Sequence, residues 1–88
     1  MQMKEILEEL VKGIVQTEDQ VVVKETKGEM LHGKETLHYT IKVKPEEFSL
    51  LVGRDGSTIK ALRMIMSKFA GKRKMMIFVD LDENENEK

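Results

Sequence analysis

From Thr36 to Val43 the chain alternates without a break. Leu37, Tyr39, Ile41 and Val43 fall on one side, and Thr36, His38, Thr40 and Lys42 on the other. A period of two marks a strand with one buried face and one wet face. Such a strand needs partner strands beside it and an apolar layer over its inner face.

The rest of the chain supplies both. Val21, Val22 and Val23 open a β-branched run to about Lys27, and Gly28 and Gly33 bracket the turn that follows. A last strand reads from Met75 to Leu81, with Met75, Ile77, Val79 and Leu81 inward. Three stretches show helical spacing instead. The first covers residues 3–16 through Ile6, Leu7, Leu10, Val11, Ile14 and Val15, with Gly13 weakening its last turn. The second is short: Pro45 suits a first helical position, Glu46 and Glu47 suit the first turn, and Phe48, Leu51 and Val52 share a face. The third runs over 57–70, with Ile59, Leu62, Ile65 or Met66, and Phe69 on one face. Lys60, Arg63 or Met64, and Ser67 line the opposite face, Gly71 reads as the stop, and Lys72-Arg73-Lys74 as a basic turn. The order α-β-β-α-α-β gives an α+β fold. We expect a two-layer sandwich, a three-stranded sheet with helices on one face, as one domain over residues 1–81. Residues 82–88 are too polar to pack and read as a disordered acidic tail.

Charge is segregated along this order. Residues 52–79 hold Arg54, Lys60, Arg63, Lys68, Lys72, Arg73 and Lys74 against Asp55 alone, a net +6, while residues 80–88 carry −4 and residues 1–19 carry −3. The overall charge of −1 therefore does not speak against a polyanionic partner, because the field is local. Cysteine is absent, which removes disulfide frameworks and cysteine-based zinc sites. No apolar run is long enough for a signal peptide or a membrane span, and the composition fits a cytoplasmic protein with no membrane segment.

The segment with chemical content is Gly53-Arg54-Asp55-Gly56-Ser57-Thr58-Ile59-Lys60, between two helices. A bare Gly-x-x-Gly is weak evidence, but here the first glycine follows a short helix and the second precedes a helix with a basic outer face. Glycines without Cβ atoms let a phosphodiester backbone come close, and the following helix aims free N–H groups at that spot. Arg54 can neutralise phosphate, and Lys60 and Arg63 extend the positive track, with Lys72 or Arg73 joining if the basic turn reaches the strand. Val52 and Ile59 flank the loop as an apolar floor for bases. Competing chemistries fit poorly. A P-loop needs four residues between its glycines and a lysine before the Ser/Thr, and this loop has two and none. His32 and His38 come with no ligand set or nucleophile, and the strands lack the stacking aromatics of an RRM. The reading is a binder with no catalytic residues, no metal and no cofactor.

These residues resemble the KH family, whose GXXG loop clamps about four single-stranded nucleotides. More narrowly, the chain is similar to the small bacterial single-KH-domain proteins of the KhpA type, which have the type II α-β-β-α-α-β order. The shared stretches are Val43-Lys44-Pro45-Glu46-Glu47, Gly53 to Gly56, and Thr58-Ile59-Lys60-Ala61-Leu62-Arg63. Asp55, the bulky Met64–Phe69 stretch, the long Gly28–Lys34 turn and the acidic tail depart from the usual pattern. The resemblance implies single-stranded RNA as ligand, with Val52, Gly53, Arg54, Asp55, Gly56, Ser57, Ile59, Lys60, Arg63, Lys72 and Arg73 as the candidate contacts. It also implies a role as an RNA chaperone or post-transcriptional regulator touching cell shape, and a homodimer or a heterodimer with a second KH-containing protein. The alternative is a protein-interaction module on the same fold, with weak or no RNA binding. Its surface would be the sheet face showing Val22, His38, Met76 and Phe78.

Overall fold

A computed structural model describes residues 2–82. Helix α1 spans Met3–Lys12 and strand β1 Val22–Lys27, followed by β2 (Glu35–Lys42), α2 (Phe48–Val52), α3 (Ser57–Lys72) and β3 (Met75–Leu81). Short 3-10 turns at Glu18–Gln20, Pro45–Glu47 and Arg54–Gly56 join them.

The alternating strand lies in the middle of the sheet. β1 pairs with β2 antiparallel, from Val22 opposite Lys42 to Lys27 opposite Leu37. β3 pairs with the other side of β2 in parallel, from Glu35 opposite Met75 to Ile41 opposite Leu81. The inner face of β2 is buried at Leu37, Tyr39 and Ile41, and the helices contribute Leu7, Val11, Leu51, Leu62 and Met66 to the same cluster. Burial of this one apolar face by amphipathic helices is what drives the two layers together.

Several boundaries differ from those read in the sequence, each for a local reason. α1 stops at Lys12 rather than near residue 16. Gly13, Ile14 and Val15 still donate back to Glu9 O and Val11 O, but the amides after them are taken elsewhere: Gln16 N–H donates to Glu47 Oε2, and Thr17 N–H to Glu47 Oε1, both at 3.2 Å. The Thr17 hydroxyl adds a third bond to Glu47 Oε2 at 3.1 Å. Glu47 is thus buried and ties the end of α1 to the start of α2; it is more than a first-turn acid. At the other end, Gly71 does not stop α3, which continues to Lys72 while Ala70 stays buried beneath it. The chain reverses at Lys74, which has φ 56°. On α3 the buried choice is Met66, and Ile65 is exposed. Thr36 faces away from the helices yet is buried, and its hydroxyl donates to Glu29 O at 2.7 Å in the connection that leads to the hairpin tip. His32 and Gly33 make that tip with positive φ, as a two-residue hairpin loop of type I′ requires.

Asp82, the first residue of the expected tail, still donates its N–H to Ile41 O at 2.8 Å and so extends the sheet contact. The rest of that tail lies outside the described residues. Among the described residues no helix is long and apolar enough to cross a membrane.

Candidate nucleic-acid interface

The α2–α3 connection has an unusual backbone. Three of its four residues lie at positive φ: Gly53 at 76°, Asp55 at 55° and Gly56 at 74°. Gly53 combines φ 76° with ψ 173°, a region open essentially to glycine alone. A Cβ there would stand 2.7 Å from both the Cβ and the amide nitrogen of Thr58. That space is already filled from within, so Gly53 serves the turn itself and not the approach of a ligand. Gly56 differs. It is the left-handed N-cap of α3, and a Cβ there would meet nothing nearer than the Lys60 Cε at 3.7 Å. The Gly56 N–H closes the turn on Gly53 O at 3.1 Å.

This geometry presents Arg54 and Asp55 outward on an exposed tip. It also lays the Lys60 stem beside Gly56, with the N-terminus of the 16-residue α3 behind them and no side chain capping it. Anions are favoured at such an end by the helix dipole, while the Ser57 amide already donates to Arg54 O. Asp55 has a backbone reason to be there: aspartate tolerates the left-handed region better than most residues.

The next turn of α3 opens onto β3, an edge strand. A groove of about 570 Å³ runs there between Lys60, Arg63, Met64 and Ser67 on the helix and residues 77–80 on the strand. Arg63 bridges it: its Nε donates to Val79 O at 2.9 Å, and a terminal nitrogen lies 3.6 Å from Asp80 Oδ1.

The candidate contacts therefore separate. Val52, Gly53, Arg54, Asp55, Gly56, Ser57 and Lys60 are gathered at the loop, and Arg63 lies one turn further along α3. Ile59 is not an open floor for bases: it is only 7% exposed and packs in the core. Val52 is half-buried. Lys72 and Arg73 sit at the other end of α3, roughly 22 Å from the loop at the usual rise per residue. There Arg73 acts on a different pair. The buried Tyr39 hydroxyl donates to Glu25 Oε2 at 2.6 Å, and burial first, then Glu25, pushes the phenol well above its ordinary range, with Arg73 opposing. The groove along β3 was not read from the sequence. The signal for it, an exposed Lys60-Arg63-Met64-Ser67 face, was visible, but the sequence does not say which strand forms the edge beside it.

The remaining surface of note is the helix-free face of the sheet. His38 and Phe78 stack there with ring centroids 4.9 Å apart, and Val22 is exposed on the same face at the far end of β1, opposite Lys42.

Comparison with known proteins agrees with this architecture. The family model described as KhpA/KhpB, KH domain, matches residues 4–81. The chain is 40% identical over 72 residues to the RNA-binding protein KhpA of Thermotoga maritima, covering 82% of this chain and 89% of that protein. It is 32% identical to the RNA-binding protein KhpA of Streptomyces coelicolor, covering 91% and 95% of the two chains. A likeness of fold alone extends to a crystal structure of Era from Aquifex aeolicus, at a TM-score of 0.65 and 12% identity. That match spans 91% of this chain and 30% of the Era chain.

Proposed function

The chain belongs to the KhpA/KhpB KH-domain family, and from that premise we propose that it binds single-stranded RNA through the loop of residues 53–56. The observation that carries this reading is the joint placement at that loop. Two glycines and Asp55 take positive φ, Arg54 is exposed, the Lys60 stem lies beside Gly56, and the α3 N-terminus stands behind. Arg54 and Lys60 hold phosphates, and the groove between α3 and β3 takes bases. A groove of this kind reads splayed bases and not those stacked in an A-form duplex, so single strands compete and a perfect duplex does not. In the cell the same reading makes the protein a cytoplasmic RNA chaperone or post-transcriptional regulator.

The test is Arg54→Asp, which places two adjacent acids at the loop tip. RNA affinity falls at least tenfold while the melting temperature hardly moves, as measured by fluorescence anisotropy and thermal unfolding. Unchanged affinity in the folded variant rejects the loop.

A second reading, a surface for pairing with another copy or with a second KH-containing protein, is favoured by the open sheet face. Phe78 and Val22 are exposed there at 36% and 45%. The two surfaces meet at Phe78, which belongs to the open face and also lines the groove along β3.

A further inference from the structure

Arg63 differs from the other cations near the loop in that its Nε is bonded to backbone and a terminal nitrogen lies within ion-pair range of a carboxylate. The bond from Nε to Val79 O lies in the plane of the guanidinium, and Asp80 faces one of its terminal nitrogens. A flat group bonded at its edge can offer a broad face to a ligand, and the side chain is 50% exposed. Beside it Met64 offers an apolar wall, being 63% exposed. The carboxylate of Asp80 also repels a phosphate that would approach the same guanidinium. Arg63 is therefore badly placed as a phosphate contact and well placed under a ring, since unstacked bases rest on guanidinium planes as they do on aromatic ones.

We propose that Arg63 is a platform on which one nucleobase stacks, fixed by Val79 and Asp80, and that it makes the groove select strands carrying bases over bare sugar-phosphate. This rests on the RNA-binding reading above. It moves Arg63 from the electrostatic to the base-dependent part of binding.

The experiment compares an eight-nucleotide single-stranded RNA with the same backbone carrying abasic residues, at two salt concentrations, by fluorescence anisotropy. The unaltered chain prefers the base-bearing strand by on the order of tenfold, the scale of one stacked base. Arg63→Lys keeps the charge and loses the plane. It reduces the preference to about twofold or less at an unchanged salt slope. A phosphate contact behaves otherwise: Arg63→Lys binds like the unaltered chain, and Arg63→Gln weakens both strands equally and flattens the slope by about 0.7. Either result overturns the platform, as does the absence of any base preference in the unaltered chain. Asp80→Asn guards against a folding defect, because Asp80 is 67% exposed and the bond to Val79 remains. That variant binds the abasic strand more tightly and discriminates less; an unchanged preference counts against Asp80 as part of the platform. Arg54→Asp weakens both strands alike. If it leaves both untouched, the loop reading fails while the Arg63 comparison stands by itself.

Discussion

Gly53 and Gly56 have nearly the same φ and bracket the same loop, yet they answer to different constraints. At Gly53 any side chain meets Thr58 and the backbone takes a conformation that other residues avoid. At Gly56 the space is open and only the left-handed φ is costly. Gly53→Ala is therefore expected to cost more than about 3 kcal/mol, as strain and a clash with Thr58 combine. Gly56→Ala is expected to cost about 1–2 kcal/mol. Urea unfolding of the two variants decides it, and equal losses would mean that Thr58 yields at no cost. The motif itself was plain in the sequence, but the division of labour inside it was not. Spacing names two glycines without saying that Thr58 occupies the side of one of them. Asp55 shows the same gap, since it reads as an acid misplaced among phosphates until its φ of 55° gives it a backbone role. Ile59 read as surface because it flanks the loop, although its place on the stripe with Leu62 and Met66 already set it inward.

At the level of elements, kinds and order were legible and ends were not. Periods of two and of 3.6 are properties of the local sequence, so β2 and the stripes of α1 and α3 could be read directly. The end of α1 depends on Glu47, some thirty residues away in the chain, and no local pattern carries that information. Glu47 satisfies two backbone amides and a hydroxyl in a partly buried setting. Removing it strands those donors, and hydrogen bonds to a charged acceptor are worth about 1.5–3 kcal/mol. Glu47→Ala should lower unfolding stability by about 2–3 kcal/mol, and Glu47→Gln by about half as much, since one amide oxygen remains to accept. In a domain of this size each kcal/mol lost lowers the melting temperature by about 4–8 °C. Calorimetry on the pair measures it. RNA affinity at a temperature where both variants are folded should stay near that of the unaltered chain, because the clamp lies at the start of α2 and not at the loop.

For the whole molecule the net charge of −1 conceals the relevant quantity, which is how many cations meet phosphates at once. Counting along the sequence gives Arg54, Lys60, Arg63 and one of Lys72 or Arg73, and hence a log–log salt slope of roughly −2 to −3 for single strands. The fold leaves half of these. Lys72 and Arg73 are about the full length of α3 from the loop, and Arg63 is held by Val79 and Asp80. With Arg54 and Lys60 left, one copy of the chain should show a slope of about −1.4, so that fourfold more salt weakens binding about sevenfold. Lys60→Ala should flatten the slope by about 0.7 and weaken all sequences alike. The measurement is a titration of one short RNA at four salt concentrations, repeated on a strand three times longer. A slope that stays near −1.4 on both strands fits a single groove with two phosphate contacts. A slope near −7 on the longer strand would require about ten phosphates, more than the loop can reach. Several copies would then have to bind side by side, and the open sheet face with His38 and Phe78 would become the first place to look for their contact.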